Sequence, residues 1–427
     1  MSFLDQYDAI PADREAERKG FALRLIRTDR DAFFEELRAT RPIFAIPGIT
    51  LVTRYRDVIE VLSRPEVFST RLYARAMDPV VQGEYMLARD ETSTNWIDKS
   101  VMRAMLVPAD LPRVRAMAGY IADQALDGHA ASGRIEVVSE LGRHVPIRVC
   151  GDYFGFPGPD RETMYRWSRA TQLDMFKNLL GDPAIHEASV KAGAEMRAYL
   201  SDLLARKKQG ATRGDAEADI FDRLLGARLP EAAEFDDARI IANMAGLLIG
   251  AGETTSQAIV QATEQILKRP EVHRDALEAI RDGKEDRFGA IVWEALRFNP
   301  INPLLFRLCV GDAPVAAGTE RATKIPAGTI VFACTASAMF DEAAFPEPDR
   351  FDADRPSDLY LHFGYGHHLC LGNLIGGEII PEVIKRIITR PGIRLLPGEE
   401  GRVDAPGGLF PERFVLAYGD DGAKASV

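Results

Sequence analysis

The most constraining feature of the sequence is a glycine-rich run around a single cysteine, FGYGHHLCLG, at Phe363–Gly372. Glycine adopts backbone conformations that other residues avoid, and it lets the backbone approach a bound group closely. Two histidines and an aromatic residue stand in the same ten-residue stretch. A loop of this composition is costly to order, so the thiol of Cys370 is expected to have a function that needs it.

Three chemistries suit a thiol in such a loop. A phosphate-binding loop needs GxGxxG after a strand, or GxxxxGK followed by Ser or Thr, and neither spacing is present. A zinc site could use His367, His368 and Cys370, but ligands this close together need a distant fourth, and no second cluster supplies one. The third chemistry is a thiolate ligand to haem iron, tuned by backbone N–H groups. A buried structural cysteine is the remaining alternative.

Composition limits the partners and the compartment. The chain has 427 residues, 46% of them hydrophobic, which is enough for a substantial core. Its net charge of -11 argues against nucleic acid as a partner. The four cysteines form no CxxC pair, which favours a reducing, cytoplasmic setting. We expect no signal peptide and no membrane anchor, because the longest apolar run, Ile240–Ala251, is too short to span a bilayer.

The sequence predicts one domain over residues 1–427, with residues 420–427 as a disordered tail, because no internal repeat or long linker divides the chain. Near the N-terminus, Ile43–Tyr55 predicts two short strands joined at Pro47–Gly48, and the run RDVIEVLSRPEVF that follows has helical spacing.

The rest of the chain predicts a mainly α fold with small β-sheets. Pro112–Leu225 is mostly amphipathic helix, broken at Phe154–Asp160 and again at Arg206–Asp219, which we expect to be a mobile surface loop. Asp237–Arg269 predicts one unusually long helix. Beyond Pro300, short strands and turns dominate, with a last helix just after the cysteine loop.

The cysteine loop resembles the haem-binding signature of the cytochrome P450 family, Phe-Gly-x-Gly-x-His-x-Cys-x-Gly. The residues that fill the signature are Phe363, Gly364, Gly366, His368, Cys370 and Gly372. The resemblance implies the triangular, mostly α haem-thiolate fold, haem b (iron protoporphyrin IX) as cofactor, these six residues in cofactor binding, and Cys370 as the metal ligand. A helix beginning after Cys370 would also favour the thiolate.

Two other segments resemble the same family. Glu294 and Arg297 in WEALR, together with Arg350, resemble its Glu-x-x-Arg plus Arg network, to which we assign a structural role. GAGETT, which begins at Gly250 on the long helix, resembles the oxygen-binding helix. From the residues alone, the Thr254 hydroxyl can bond back to the Gly250 carbonyl and open the helix locally.

The resemblance gives roles to residues on that helix. Glu253 either faces solvent or lies among apolar residues. In the second case, burying its carboxylate costs free energy unless it has polar or charged partners. By resemblance, Glu253 is part of a proton route to bound dioxygen, Thr254 orients water and the distal oxygen, and Ala251 contacts the haem.

Haem propionates take cationic partners. By resemblance the candidates are His368, Arg307 and Arg103, and Lys99, which stands where the family often has histidine. The chain departs from the family in the helix after the cysteine, where Gly376–Gly377 and Pro381 are expected to bend or loosen it.

The implied activity is insertion of one oxygen atom from O2 into a hydrophobic small organic molecule. Electrons are expected from a separate ferredoxin and its reductase, docking near Arg103, Arg113 and Arg115. Two alternatives stay open: a peroxide-driven peroxygenase or an isomerase, and, from another class, a non-catalytic haem sensor or carrier.

The resemblance also places the substrate pocket, although apolar residues at these positions are what packing alone would require. Terpenoid, aromatic, fatty-acid and polyketide substrates all fit, and arginines 71, 75 and 89 either face solvent or hold an acidic group. The implied lining segments are residues 72–96, 173–180, 247–250, 301–305 and 409–410.

Overall fold

The computed structural model describes residues 1–90, 92–178, 181–210, 218–408 and 410–419. The tail predicted at 420–427 and residues 211–217 of the predicted surface loop lie outside the described residues. The chain forms two compact units. The first unit comprises Met1–Leu72, Leu87–Glu91 and Leu296–Cys370, and the second comprises Tyr73–Met86, Thr92–Ala295 and Leu371–Val427.

The predicted fold class, mainly helical with small sheets, is confirmed. In chain order the α-helices of the described residues are α1 (Phe3–Asp8), α2 (Glu15–Thr28), α3 (Arg30–Thr40), α4 (Tyr55–Ser63), α5 (Ala74–Val81), α6 (Ser93–Met105), α7 (Leu111–Gly128), α8 (His144–Asp152), α9 (Arg161–Gln172), α10 (Pro183–Lys208), α11 (Ile220–Gly226), α12 (Asp237–Leu267), α13 (Pro270–Arg281), α14 (Glu285–Phe298), α15 (Thr335–Ala338) and α16 (Asn373–Ile388).

The strands are short. They are β1 (Ile43–Ile46), β2 (Ile49–Val52), β3 (Phe68–Ser69), β4 (Arg134–Glu136), β5 (Leu305–Cys309), β6 (Ala313–Val315), β7 (Thr323–Ile325), β8 (Ile330–Ala333), β9 (Arg394–Leu395) and β10 (Val415–Ala417). Two π-helical turns, Val138–Arg143 and Leu173–Lys177, precede α8 and follow α9.

The first unit is built on a five-stranded sheet in the order β1-β2-β8-β5-β3. The hairpin predicted at Pro47–Gly48 is confirmed, with β1 and β2 antiparallel and Gly48 at a φ of 74° that glycine accepts without strain. β2 pairs in parallel with β8, and β5 is antiparallel to β8. Apolar side chains from α4 and the sheet, among them Val58, Val61 and Val331, form its core.

The second unit is organised around α12, the long helix predicted from Asp237 onward. The Asp236 side chain caps it by accepting a hydrogen bond from the Arg239 N–H. α12 packs against α8, α9, α10 and α16, and most of its side chains from Ile240 to Ile266 are buried. A three-stranded sheet, β4-β10-β9, belongs to the same unit.

The helix after the cysteine loop, α16, begins at Asn373 and continues to Ile388 through Gly376, Gly377 and Pro381. The loosening expected at these residues does not interrupt the helix. A buried apolar stripe that includes Ile379, Val383 and Ile387 outweighs their weak helical propensity, because packing supplies most of the stability of a helix in a folded protein.

Candidate active site

The cysteine loop lies at the end of the first unit. The Cys370 N–H donates to the Phe363 carbonyl at 2.9 Å, which closes the loop. Gly364 and Gly366 take φ values of 76° and 66°, and a Cβ on Gly366 would stand 3.1 Å from the Leu62 carbonyl oxygen of α4. Gly364 and Gly366 are therefore required by the local backbone.

Cys370 differs from the other cysteines in its environment. Cys370 is exposed, whereas Cys150, Cys309 and Cys334 are buried. Burial raises the pKa of the Cys150 thiol to about 12 and also raises the pKa of the Cys334 thiol, so both stay protonated and inert. An exposed thiol in a glycine loop fits the donor set of a haem-thiolate centre, and the buried structural cysteine considered from the sequence does not apply to Cys370.

His368, predicted to contact a propionate, is held by a carboxylate of the first unit. Its Nε2 lies 3.1 Å from Asp90 Oδ1, and Asp90 also accepts hydrogen bonds from the Thr70 N–H at 2.9 Å and from the Ser69 hydroxyl. Although burial opposes ionisation, hydrogen bonds from His368 and Ser69 lower the pKa of Asp90 to about 2. Asp90 is therefore ionised, and the Nε2 of His368 must be the donor.

The charge of His368 follows from this environment. Burial, with the positive charge of Arg307 as a further contribution, lowers the pKa of His368 to about 4, so the ring is neutral near pH 7. Arg307 itself lies on β5, is 4% exposed, and donates to the Phe306 carbonyl at 2.9 Å.

The other predicted propionate partners lie on α6 in the second unit. Trp96, Lys99 and Arg103 follow one another at helical spacing, with Arg103 and Trp96 exposed and Lys99 half-buried. The opposite face of α6 carries Asp98, 1% exposed, which pairs with Arg239 and accepts from Asn243 Nδ2 at 3.0 Å. α6 therefore presents its basic residues on the face away from this buried ion pair.

The face of α12 around Gly250 is open. Gly250 is exposed and Thr254 and Ala251 are half-buried, on a helix whose neighbouring turns are buried. A Cβ on Gly250 would meet nothing within 4 Å. The Thr254 hydroxyl donates to the Gly250 carbonyl at 2.5 Å, which confirms the predicted back-bond. α12 nevertheless remains continuous through this turn.

Glu253 does not face solvent. It is 1% exposed, and it pairs with two arginines: its Oε1 lies 3.3 Å from Arg143 Nε and its Oε2 lies 3.3 Å from Arg169 Nη1. Both arginines also pair with Glu412. Arg143 ends the first π-helical turn, Arg169 is on α9, and Glu412 lies before β10, so three segments meet at one side chain of α12.

Opposing influences set the pKa of Glu253. Burial raises it, the positive charges of Arg143 and Arg169 lower it, and the negative charge of Glu412 raises it. The net result is a raised pKa. A buried carboxylate of this kind is able to take up and release a proton closer to neutral pH than an exposed glutamate.

Comparison with known proteins agrees with the geometry of these segments. The family model for cytochrome P450 matches residues 162–390, more than half of the chain. The chain belongs to the cytochrome P450 family. It is therefore an enzyme, an oxidoreductase of the monooxygenase type that carries haem iron and uses O2 and a small-molecule substrate.

Two curated relatives and a solved structure illustrate the similarity. The steroid C26-monooxygenase of Mycolicibacterium smegmatis is 28% identical over 385 residues, covering 89% of this chain and 88% of the relative. The mycinamicin IV hydroxylase/epoxidase of Micromonospora griseorubida is 28% identical over 376 residues, covering 85% and 88%. The structure of cytochrome P450 CYP109Q5 from Chondromyces apiculatus has a TM-score of 0.76 at 23% identity, covering 92% and 96%.

The arginines predicted to attract a redox partner of this P450 differ in their availability. Arg115 forms an ion pair with Glu378 of α16, with Nε to Oε2 at 2.5 Å. The Arg113 guanidinium lies 5.2 Å from the centre of the Tyr153 ring. Arg103 is exposed at the helix surface and, among the residues that the structure describes, has neither an ion pair nor a ring contact.

Two of the three residues of the predicted Glu-x-x-Arg plus Arg network are buried, and the third differs from the prediction. Glu294 and Arg297 are completely buried, and Arg297 donates to the carbonyls of Met339 and Arg350 at 3.1 and 3.2 Å. The Arg350 side chain, however, pairs with Glu347 at the surface. Arg350 therefore contacts Arg297 through its backbone carbonyl, because its guanidinium is directed to the exposed carboxylate of Glu347.

The implied substrate-pocket segments of this P450 are held by polar contacts. Arg75 Nη2 donates to the Asn178 carbonyl at 3.1 Å, and His186 Nδ1 lies 2.7 Å from Asp174 Oδ2, so the segment around the second π-helical turn is fastened to α5 and α10. The Phe410 ring is 1% exposed and lies under Arg169. Leu180 and Leu409, both part of the predicted pocket, lie outside the described residues.

Several functional candidates were missed by sequence reasoning. Asp90, Arg143, Arg169 and Glu412 belong to no recognisable motif, and their partners are distant in the chain. The sequence offered one signal: Glu253 lies in an apolar segment, and a buried carboxylate needs cationic partners. In the part of the chain that the structure describes, no helix is long and apolar enough to cross a membrane.

Proposed function

We propose that this P450 is a haem b monooxygenase that inserts one oxygen atom from O2 into a hydrophobic small organic molecule, with Cys370 as the iron ligand. The observation that carries the proposal is the exposed Cys370 thiol in a closed glycine loop, whereas the other three cysteines are buried. The relatives, a steroid monooxygenase and a mycinamicin hydroxylase/epoxidase, support a hydrophobic substrate.

Residues of the cysteine loop and of β5 would hold the cofactor. Phe363, Gly364, Gly366 and Gly372 shape the ligand loop, and His368 and Arg307 are the candidate partners for the propionates. The neutral ring of His368 donates its one N–H, at Nε2, to Asp90, which fixes the ring orientation and leaves Nδ1 as an acceptor. In this state Arg307 is the candidate that can donate to a propionate, and His368 would donate only after taking up a proton at Nδ1. In the second unit, Arg103 and Lys99 are the further candidates on α6, and Ala251 is the candidate contact on α12.

Haem held by a cysteine thiolate supplies the activation of O2 and the oxidation of an unactivated C–H bond. The chain supplies protons and their placement. Thr254, fixed by its bond to the Gly250 carbonyl, offers a hydroxyl on the open face of α12 that orients water and oxygen. Glu253, one residue earlier, is the group that exchanges protons with that water, and its raised pKa suits this task.

Electrons are proposed to come from a separate ferredoxin and its reductase, and the compartment is proposed to be the cytoplasm. The four cysteines without a CxxC pair support a reducing compartment. Arg103, exposed on α6, is the candidate contact for an acidic electron donor.

The proposal is tested by the carbon monoxide difference spectrum of the reduced protein. Thiolate-ligated haem gives a strongly red-shifted Soret band, so we expect this band in the wild-type protein and its loss in Cys370→Ser. Cys150→Ala is the matched control, because Cys150 is buried and its thiol is inert; its spectrum should equal that of the wild type.

A red-shifted band that persists in Cys370→Ser would overturn the assignment of the ligand. Turnover with hydrogen peroxide that equals turnover with a ferredoxin system would favour the peroxygenase alternative. A normal carbon monoxide spectrum with no oxidation under either condition would favour a haem sensor or carrier.

A further inference from the structure

Four charged side chains of the second unit form a closed cluster around Glu253. Arg143 and Arg169 each contact both Glu253 and Glu412, so two cations are shared by two carboxylates. The cluster is electrically balanced. Each arginine is also fixed by an aromatic ring: Arg143 lies 4.2 Å from the centre of the Tyr165 ring, and Arg169 lies 4.2 Å from that of Phe410.

The two carboxylates do not share the arginines equally. Glu253 meets both arginines at 3.3 Å, which is long for a charge-assisted contact. Glu412 contacts Arg143 Nη2 at 2.7 Å and also pairs with Arg169 Nη2. Arg143 Nη2 also donates to the Pro411 carbonyl at 3.1 Å, so the turn before β10 grips this guanidinium at two points. Arg143 is therefore bound more firmly to the turn than to α12, and Arg169 contacts both Glu412 and Phe410 of the same segment.

The two carboxylates also differ in their exposure to solvent. The Glu253 side chain is 1% exposed and that of Glu412 is 35% exposed. A buried carboxylate with two unshared arginines would be strongly held in its ionised form. By competing for both guanidinium groups, Glu412 reduces their hold on Glu253, and its own negative charge opposes a second ionised carboxylate nearby.

We propose that Glu412 is a positioning residue for proton transfer, holding Arg143 and Arg169 so that Glu253 is free to exchange its proton. The inference rests on the proposed function, in which Glu253 supplies protons. The charged and titratable groups that face Glu253 are Arg143 from the first π-helical turn, Arg169 and Tyr165 from α9, and Glu412 from the turn before β10.

The first test measures the Glu253 carboxyl itself and does not depend on turnover. Infrared difference spectra between each protein and its Glu253→Gln counterpart, recorded over a pH series, isolate the carboxyl band of Glu253. In Glu412→Gln the arginines lose their competing carboxylate, and we expect the titration midpoint of Glu253 to fall by about 1 pH unit. Glu412→Asp, which keeps the charge, should restore most of the wild-type midpoint.

The matched control is Glu399→Gln. Glu399 pairs with Arg402 and its side chain is 88% exposed, so this variant removes the same charge from the same terminal region without touching the cluster. Its midpoint should not move. An unchanged midpoint in Glu412→Gln, in protein whose circular dichroism matches the wild type, would overturn the inference, as would an equal shift in Glu399→Gln.

The second test measures oxygen consumption by the holoenzyme, with electrons from a plant-type ferredoxin, ferredoxin reductase and NADPH. Glu412→Gln should shift the high-pH limb of the rate profile to lower pH, because the proton donor loses its proton earlier, and should raise the solvent isotope effect in D2O. Thr254→Ala is the reference for hydrogen peroxide release, which should rise in that variant.

The outcomes separate the inference from the proposed function. If Glu253→Gln leaves the rate and its isotope effect unchanged, Glu253 is not the proton donor, and the proposed mechanism fails while the infrared result still tests the electrostatic link. If Glu253→Gln slows the reaction and Glu412→Gln changes neither the rate profile nor the infrared midpoint, the inference about Glu412 alone is wrong.

Discussion

At the scale of single residues, the chemistry of this P450 depends on how charged groups are held by distant partners. Glu253 and His368 are both motif residues, and each is governed by a carboxylate or cation that no motif contains. Asp90 is the clearer case, because one carboxylate accepts hydrogen bonds from Ser69, Thr70 and His368. Removing the Asp90 carboxylate deprives all three donors of this acceptor.

Asp90→Ala is therefore expected to lower the free energy of unfolding by about 1–3 kcal/mol, as three partners of a half-buried carboxylate lose their acceptor. It should also speed haem loss, measured as transfer of haem to apomyoglobin, because His368 is no longer oriented. Asp349→Ala, at an exposed position, is the control. Equal haem retention in the two variants would contradict the role of Asp90.

The lowered pKa of Asp90 determines how its contribution to stability changes with pH. The folded pKa of Asp90, about 2, lies below the ordinary value of about 4 for an unfolded aspartate. Its contribution to stability is thus fully present above pH 4 or so and is lost as the pH falls through about 2. The difference in unfolding free energy between wild type and Asp90→Ala should shrink over that interval.

The sequence allowed the motif residues to be predicted but not their partners. Cys370 and Thr254 were predicted because each stands in a local motif that resembles one of the family, and the Thr254 back-bond spans one helical turn. The pairing of Glu253 with Glu412 through shared arginines joins positions more than a hundred residues apart, and only the folded chain brings them together. Roles given to these residues in catalysis stay predictions until they are measured.

At the scale of helices and strands, two helical glycines differ in the space available for a side chain. Gly193 on α10 faces α5 so closely that a Cβ would stand 2.7 Å from the Val80 carbonyl oxygen. Arg197, one turn later, donates to the Pro79 carbonyl of the same helix at 3.2 Å. Gly377 on α16 is the opposite case, because a Cβ there would meet nothing within 4 Å.

These two glycines give a matched pair of substitutions. Gly377→Ala should raise the free energy of unfolding by about 0.5–1 kcal/mol, since alanine costs less backbone entropy in a helix. Gly193→Ala should lower it by about 1–3 kcal/mol, because backbone atoms of α5 must move. Urea unfolding followed by circular dichroism distinguishes the two, and changes of the same sign would show that local space does not decide the effect.

Helical elements were predicted well where periodicity is strong. The long helix predicted at Asp237–Arg269 is α12, Asp237–Leu267, because its cap and apolar stripe are both local. The two π-helical turns and the three-residue strand β4 were not foreseen. They are set by contacts with distant segments, such as the pairing of β4 with β10.

At the scale of the whole molecule, the net charge of -11 sets how partners approach. An acidic protein repels an acidic electron donor, so a productive encounter needs a local basic patch. Arg115 is already paired with Glu378, which leaves Arg103 as the stronger candidate of the three predicted arginines. The single domain predicted over residues 1–427 likewise stays a prediction.

Reduction by a ferredoxin should therefore be sensitive to salt. The second-order rate of reduction, normalised to haem content, should fall several-fold between about 0.05 and about 0.5 M ionic strength. Arg103→Gln should lower the low-salt rate and flatten the salt dependence, whereas Arg274→Gln, at an exposed position on α13, should do neither. A rate that is independent of salt would argue against electrostatic docking.

The parallel pairing of β2 with β8 also bears on how the protein is made. Ile49–Val52 of β2 is matched to Ile330–Ala333 of β8, so the N-terminal hairpin leaves the ribosome long before its neighbour in the sheet. At typical elongation rates the wait lasts tens of seconds. Throughout that time β2 carries an unpaired edge of apolar residues, which is a template for intermolecular association. Slow translation or a shortage of chaperones should thus lower the yield of active enzyme before any haem is bound.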